Sequence, residues 1–372
     1  MRQALRVAAA NPVGYERRRP EETTLYRVVQ EHFETFLAEV EARGAASLPQ
    51  FVKDEFDAFL ERGILVHGFL RLRCTKCGHE KLVAFSCKRR GICPSCGARR
   101  MAETAAWLVE HLIPKVPVRQ WVLSFPTPLR SLFAVHPELL APVLRIIHRV
   151  IATHLIRQAG VKRSEAATGA VSLIQRFALS PMDIHLHGLV LDRVYHTGCA
   201  AEQRSDLEHL CRYITRPAIA NEGLSVNYAG QVVLKLKTPY RDGTNHLVMS
   251  PLEFMQRLAA LMPRPRLHLI RFHGVLAPHA KLRAAIVPIP AQTAHAADCE
   301  HAHSASARMS WARLLKRVFD FDVERCGCGG KLKIIAAIEE PAVIEHILTH
   351  LGLCAQPPPR APARQFDLFQ AA

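Results

Sequence analysis

The chain has 372 residues, of which 49% are hydrophobic and 22% charged, so it is long enough for two or three domains with buried cores. No uncharged apolar run approaches the roughly 18 residues of a membrane span, and the alanine-rich stretch near the N-terminus is too brief for a signal peptide. Lys and Arg outnumber Asp and Glu by 49 to 33, giving a net charge of +16. This excess favours a polyanionic partner, in a protein that we expect to be cytoplasmic.

The first predicted elements are helices over residues 22–62, where apolar residues recur at helical spacing, followed by a cysteine-rich block over about 67–100. This block holds two Cys-x-x-Cys pairs separated by 15 residues, a spacing typical of structural zinc sites with thiolate ligands. We therefore predict one structural zinc held by Cys74, Cys77, Cys93 and Cys96. Cys87 is an alternative ligand. The chain has 11 cysteines, an odd number that favours metal binding over a disulfide framework.

Basic residues cluster at the edge of the cysteine block. A cluster of this kind can contact the phosphates of a nucleic acid. The residues that we expect to do so are Arg89, Arg90, Arg99 and Arg100.

The next elements are helices over 101–113 and 136–158, and the pattern changes from about residue 168. Two β segments joined at Ser180-Pro181 precede a short helix over 207–214. Further elements follow in this order: a hairpin over LSVNYAGQVVLKLK, a β segment over 244–249, a helix capped by Ser250, and a β segment over 266–278. The pattern predicts an α+β unit dominated by antiparallel strands.

The stretch MDIHLHGLVLD places His185 and His187 two residues apart in a predicted strand, so their side chains point to one face. Two imidazoles arranged in this way can bind one divalent cation, although packed structural histidines are the commoner outcome. Tyr213 follows on the predicted short helix, between Arg212 and Arg216. A His-x-His pair with a helical tyrosine is typical of nickases, in which a metal polarises the scissile phosphate while the phenol oxygen attacks it.

Alternatives remain open at this site. Asp183, Gln175 and His273 are candidates for a third metal ligand, and Tyr195 is the second choice of nucleophile.

Cys326 and Cys328 form a weaker cysteine motif, because only one residue separates them and no second pair lies nearby in the sequence. A structural turn with unused thiols is the preferred interpretation, and a second zinc is the alternative.

The chain resembles the rolling-circle HUH transposases of bacterial insertion sequences that carry an N-terminal zinc-binding domain. The ordered stretches that carry the resemblance span most of residues 22 to 355. They are HGFLRLRCTKCGHEKLVAFSCKRRGICPSCGARRMAE, VRQWVLSFPTPLR, GAVSLIQRF, HLHGLVLDRVY, LCRYITRPAIA, LKTPYRDGTNHLVMSPLEF and RFHGVLAPHAKLR. Some relatives have a second tyrosine four residues before the first, but His209 stands there, which makes this chain a single-tyrosine variant. Tyr213 follows His187 by 26 positions, a shorter interval than in most relatives, and CGCGG stands where a Cys-x-x-Cys is commoner.

The resemblance implies that Tyr213 is the nucleophile and that His185 and His187 bind a catalytic Mg²⁺ or Mn²⁺. It implies a structural Zn²⁺ in a cysteine domain that aids DNA recognition, and cleavage of single-stranded transposon ends through a 5′-phosphotyrosine in the bacterial cytoplasm, at the nucleoid. Arg212 and Arg216 join the expected DNA contacts.

The expected organisation follows from the predicted elements and the resemblance together. It comprises a flexible N-terminus (1–21), a helical zinc-binding domain (22–112), a helical connector (113–164), an antiparallel-sheet HUH domain (165–288), a linker (289–309), a small helical C-terminal region (310–355) and a disordered tail (356–372).

The runner-up hypothesis is a zinc-dependent DNA-binding protein, a transposase remnant that lost its activity when the segment between His187 and Tyr213 was shortened. An unrelated metallohydrolase lacks a supporting carboxylate constellation.

Overall fold

The computed structural model describes residues 19–44, 47–164, 166–177, 183–192, 194, 205–216, 223–236, 243–288, 311–319 and 322–364. Its helices are α1 (Thr24–Ala42), α2 (Gln50–Glu61), α3 (Pro94–Trp107), α4 (Thr127–Val135), α5 (Leu140–Gln158), α6 (Ser205–Ile214), α7 (Pro251–Leu261), α8 (Arg283–Ile286), α9 (Trp311–Phe319) and α10 (Pro341–His350). Its strands are β1 (Phe69–Cys74), β2 (Glu80–Ala84), β3 (Val118–Ser124), β4 (Gly169–Phe177), β5 (Asp183–Leu191), β6 (Leu224–Val226), β7 (Val232–Lys235), β8 (His246–Met249), β9 (Ile270–Gly274) and β10 (Leu332–Ile338).

The chain folds as two compact units, each built from separate stretches of sequence. The cysteine unit comprises residues 1–97, 219–265 and 311–372, and the sheet unit comprises 98–218 and 266–310. Mixed helix and antiparallel sheet confirm the predicted α+β class. The units cut across the predicted boundaries, because residues 219–265 group with the cysteine unit and not with the histidine strand.

The cysteine unit contains a three-stranded sheet in the order β10-β1-β2. β1 and β2 form a hairpin, and β10 pairs antiparallel with the other side of β1, so that Cys74 lies opposite Leu332. The C-terminal region that was expected to be helical therefore contributes a strand to the sheet of the zinc-binding domain. Leu72 and Val83 of this sheet pack with Leu315 and Val323 in one core cluster, which explains why the C-terminal segment folds back there.

An aromatic core holds α1 against α2 within the same unit. The rings of Phe33 and Phe56 lie 4.8 Å apart, and the Tyr26 hydroxyl donates a hydrogen bond of 2.9 Å to the Leu60 carbonyl. A second sheet, β6-β7-β8, precedes α7. The side chain of Ser250 caps α7 by accepting from the amide of Glu253, as its sequence predicts.

The proline-rich tail is ordered over 356–364, contrary to the expected disorder. Gln30 of α1 donates to the Pro359 carbonyl at 2.6 Å, and the Arg360 guanidinium lies 2.6 Å from the Asp57 carboxylate of α2. Arg364 donates its amide to the Thr35 hydroxyl. Proline has little conformational freedom to lose, so a few polar contacts are enough to order such a segment. Of the N-terminus expected to be flexible (1–21), residues 1–18 lie outside the described residues, as does all of the expected linker (289–309).

The sheet unit contains a four-stranded antiparallel sheet in the order β3-β5-β4-β9. β3 lies within the segment that was expected to be a helical connector. Polar and apolar residues mix in β3, and its alternation of exposed and half-buried positions fits an edge strand. β5, which carries both histidines of the predicted site, is therefore a central strand.

Helices cover both faces of this sheet. On one face α3 and α6 bury side chains such as Ala105 and Cys211 against Val171 and Leu189. On the other face α4 and α5 bury Phe133 and Leu144. The helical segment Pro137–Gln158 also has the length and hydropathy of a membrane span. In this structure one face of the segment, with Leu144, Ile151 and Leu155, packs against the sheet, and the opposite face is exposed.

Candidate active site and cysteine clusters

The predicted histidine pair lies at the centre of the sheet unit. His185 pairs with Ser124 of β3 and Gln175 of β4, and His187 pairs with Val122 and Leu173. Alternation along β5 directs both imidazoles to the face that α6 covers. His187 is only 6% exposed, whereas His185 is half-buried.

A side chain from β3 holds each imidazole by its Nδ1 atom. The Ser124 hydroxyl lies 3.0 Å from Nδ1 of His185, and the Gln120 carboxamide nitrogen lies 3.0 Å from Nδ1 of His187. These contacts fix the orientations of both rings on the face that α6 covers. Burial, followed by the charges of His185 and Arg216, lowers the pKa of His187, so the ring is neutral near pH 7.

Tyr213 reaches this face from α6. Leu207, Cys211 and Ile214 are buried on one side of the helix, and Tyr213 stands at its edge with half of its surface exposed. The Tyr213 ring lies edge-on to the His187 ring, with centroids 6.5 Å apart and planes at 84°. The phenol therefore lies beside the histidine pair, although Tyr213 follows His187 by only 26 positions in the sequence.

The C-terminal end of α6 is tied to neighbouring elements at positions adjacent to Tyr213. The Gln175 side chain of β4 donates to the Ile214 carbonyl. The Thr215 hydroxyl contacts the carbonyls of Cys211, at 2.7 Å, and of Met101 in α3. Hydrogen bonds of this kind resist helix displacement, so the sheet and α3 help to fix the position of the phenol.

Of the candidates for a third metal ligand, the structure places two. Gln175 lies directly beside His185, with its amide nitrogen occupied by the Ile214 carbonyl. His273 lies on the opposite face of the sheet, where its register partner is Ala170 and its ring stacks on His148 at 4.9 Å. His273 therefore cannot join His185 and His187. The side chain of Asp183 and all of Tyr195 lie outside the described residues.

The predicted cysteine ligands do not form one group of four. Cys74 and Cys77 lie with Cys326 and Cys328, and the four sulfur atoms all fall within 4.8 Å of one another; we call this set the four-thiol cluster. The pairing of β1 with β10 causes this arrangement, because it places the turn that follows Cys74 beside the turn that precedes Leu332. Cys326 and Cys328, for which unused thiols were the preferred interpretation, therefore lie beside the first predicted Cys-x-x-Cys pair.

The second Cys-x-x-Cys pair, Cys93 and Cys96, lies instead with Cys87 in what we call the three-thiol cluster. The sulfur atoms of Cys87 and Cys96 are 3.3 Å apart, and the Cys96 amide donates to the Cys93 sulfur at the start of α3. Among the described residues, no fourth cysteine, histidine or carboxylate joins these three. Cys87, expected only as an alternative ligand, is a full member of this cluster.

Crowding of the thiols perturbs their acidity in both clusters. The backbone amide of Cys77 donates to the Cys74 sulfur and is the main reason that the pKa of Cys74 falls to about 6. Hydrogen bonds with Cys93 and Cys96, together with burial, raise the pKa of Cys87. When several thiols lie close together, ionising one makes it harder to ionise the next. A bound cation stabilises such a set because it neutralises the negative charge of the thiolates.

The predicted DNA contacts are divided between the two units. Arg89 and Arg90 are exposed in the cysteine unit, where the Arg90 guanidinium donates to the Arg264 carbonyl. In the sheet unit, Arg100 is exposed and Arg99 is half-buried. Two further arginines flank Tyr213: Arg212 forms an ion pair of 2.9 Å with Glu208, and the Arg216 guanidinium lies 4.5 Å from the centre of the Tyr213 ring.

Comparison with known families agrees with this arrangement. Residues 28–125 match the IS91 "Transposase zinc-binding domain", and residues 192–283 match the family described as "Putative transposase" (Y2_Tnp). No curated protein and no solved structure matches the chain. The two matched stretches together take in about half of the chain, and they define a transposase that carries a zinc-binding domain.

More particularly, the chain belongs to the IS91 family of transposases, which confirms the resemblance stated from the sequence.

Sequence reasoning missed Gln120 and Ser124, and it did not connect Cys326 and Cys328 with the first cysteine pair. Gln120 and Ser124 had no recognisable signal, since their importance comes from the pairing of β3 with β5. Cys326 and Cys328 had a signal, namely two cysteines followed by two glycines, but its partner lay about 250 residues away in the chain.

Proposed function

We propose that this transposase cleaves and transfers single-stranded DNA at the ends of an insertion sequence, in the bacterial cytoplasm, with Tyr213 as the nucleophile. The observation that carries the proposal is the edge-on contact of the Tyr213 ring with His187, on the face where His185 also lies. Half of the Tyr213 surface is exposed, so a DNA strand has access to the phenol. A structural tyrosine would instead be expected to bury its ring.

His185 and His187 are the residues that would hold Mg²⁺ or Mn²⁺. They fit a metal because they lie two residues apart on one face of β5, and each ring is held in place through its Nδ1 atom. Binding through Nε2 requires the proton on Nδ1. The Ser124 hydroxyl can accept a hydrogen bond from that N–H group. The Gln120 side-chain oxygen can do the same if the carboxamide is flipped by 180°, which exchanges its oxygen and nitrogen. The metal would supply Lewis acidity toward the scissile phosphate.

The protein groups perform the covalent step. The Tyr213 oxygen forms a bond to phosphorus while the bond between phosphorus and the 3′ oxygen breaks. The phenol proton leaves to solvent, and the departing 3′ oxygen takes up a proton to become a hydroxyl. The 5′-phosphotyrosine keeps the energy of the phosphodiester, so that a 3′ hydroxyl of another strand can attack it and restore the tyrosine.

Positive charge around Tyr213 suits a phosphate substrate. Arg216 brings its guanidinium over the Tyr213 ring, where it can also approach a phosphate bound at the phenol oxygen. Arg212 is held by Glu208 and contributes less net charge. We assign the exposed Arg89, Arg90 and Arg100, and the half-buried Arg99, to contacts along the DNA backbone.

The test uses the purified full chain, Mn²⁺, and single-stranded oligonucleotides from the ends of the element that encodes it. We expect a covalent protein–DNA adduct that survives SDS with single-stranded but not duplex DNA. Tyr213→Phe should abolish the adduct and retain DNA binding. The control is Tyr228→Phe, since Tyr228 is fully exposed in the turn between β6 and β7. Binding without any adduct in the wild type would contradict the proposal and favour the DNA-binding remnant.

A further inference from the structure

The four-thiol cluster joins two turns that are distant in sequence. The first turn lies between β1 and β2, where the Cys74 amide donates to the His79 carbonyl at 2.8 Å. The second precedes β10, where the Cys326 amide donates to the Gly330 carbonyl at 2.8 Å. Each turn presents two cysteines, and the pairs that meet are 254 and 249 residues apart.

The distances between the sulfur atoms suit a tetrahedral metal. Cys74 and Cys328 are separated by 3.5 Å, and Cys77 and Cys326 by 3.7 Å. A disulfide would require about 2.05 Å. Four thiolates at the usual zinc–sulfur distance of about 2.3 Å lie about 3.8 Å apart along each edge of the tetrahedron. The cluster therefore has nearly the dimensions of an all-sulfur zinc site.

Gly330 lies where the two turns meet, and a larger residue there would clash with the Cys74 sulfur. A β-carbon added there would lie 2.6 Å from the Cys74 sulfur and 2.7 Å from Cβ of Lys76. The Lys76 amide in turn points at the Cys74 sulfur, 3.4 Å away. Amides directed at sulfur favour the thiolate, which is the form that binds metal. A turn that merely changed the chain direction would not need this clearance.

We propose that Cys74, Cys77, Cys326 and Cys328 bind a structural zinc that fastens the C-terminal strand β10 to the N-terminal zinc-binding domain. Two of these ligands lie outside residues 28–125, the stretch that matches the zinc-binding family. Four thiolates complete the coordination of the ion, so the site is closed to water and has no catalytic role. The zinc-binding domain is then assembled from both ends of the chain, and loss of the C-terminal segment opens it.

Zinc content of the purified full chain tests the assignment. Cys326→Ser/Cys328→Ser should lower the content by one ion per chain relative to the wild type. Cys354→Ser, which removes an exposed thiol that belongs to neither cluster, should leave it unchanged. An unchanged content in the double variant would overturn the proposal. So would a fall of the same size in Cys354→Ser.

A second measurement needs no variant and applies even if the double variant does not fold. Zinc is removed from the wild type with a chelator under reducing conditions, and amide exchange is followed along 332–338 with and without added Zn²⁺. We expect zinc to slow amide exchange in β10 at least tenfold, because the metal holds the turn that precedes this strand. Substitution with Co²⁺ should give the visible spectrum of a tetrahedral thiolate site. Equal exchange with and without zinc, or no thiolate absorption, would refute the site.

Discussion

The cysteine clusters and the histidine–tyrosine site are assembled in different ways. The four-thiol cluster draws its two halves from turns about 250 residues apart, whereas His187 and Tyr213 are 26 positions apart and belong to one sheet and the helix that covers it. In both cases local spacing identifies a half-site, either a pair of thiols or a pair of imidazoles. Which residues complete a half-site depends on the order of the strands in the sheet. This dependence is stronger for the cysteines, because their two halves are far apart in the sequence.

Removing both histidines of the site should greatly slow the reaction without affecting folding. His185→Ala/His187→Ala should slow adduct formation on the order of 10³-fold, because charge stabilisation at the phosphate is worth several kcal/mol. Zinc content and the stability of the cysteine unit should not change. The measurement is adduct yield against time, together with zinc analysis.

The matched control for that variant is His209→Ala, which removes an exposed histidine one helical turn before Tyr213. This control should react at the wild-type rate. If it loses as much activity as the double variant, the histidine pair has no special role.

Acid should weaken the sheet unit through His148. Burial, followed by the neighbouring His273, lowers the pKa of His148 from 6.5 to about 4. The unfolded chain takes up a proton below pH 6.5 that the folded chain refuses, so stability is full above that pH and declines toward pH 4. Between pH 7 and pH 4.5 the loss should be roughly 2–3 kcal/mol, measured by amide exchange in β4 and β9.

His148→Phe should remove most of this acid sensitivity, whereas His154→Phe, at an exposed position on the same helix, should retain it. Any release of zinc in acid is common to all three proteins and cancels from the comparison. If His148→Phe and wild type respond identically to pH, His148 does not control the effect.

The smallest effect concerns the tether of α6. Gln175→Leu should cost about 1 kcal/mol of stability, the usual net contribution of one hydrogen bond. The loss of the bond to the Ile214 carbonyl should also lower the rate of adduct formation more than it lowers DNA affinity. Gln158→Leu, at the exposed end of α5, is the control. If the rate is unchanged in Gln175→Leu, the tether does not position the phenol.

The elements governed by local patterns could be predicted from the sequence. Alternation in β5 directs His185 and His187 to one face, and the helical spacing of Leu207, Cys211 and Ile214 predicts which side of α6 is buried. The Ser250 cap of α7 is likewise a local signal.

Long-range pairing could not be predicted. Nothing in β10 specifies that it joins β1, and the cysteine spacing that is typical of one zinc site is equally compatible with two half-sites that find other partners. The tail over 356–364 was misjudged for a related reason. Its order depends on Gln30, Thr35 and Asp57, which only the folded chain brings near it.

Mapping the attachment site on the protein shows whether Tyr213 becomes covalently bound to DNA. The adduct formed with a single-stranded oligonucleotide is digested with trypsin and nuclease, and the modified peptide is sequenced by mass spectrometry. We expect one modified residue, Tyr213, carrying the 5′ phosphate of the downstream fragment, with a free 3′ hydroxyl on the upstream fragment. Attachment at Tyr228 or another residue, or a 3′-phosphate linkage, would contradict this prediction.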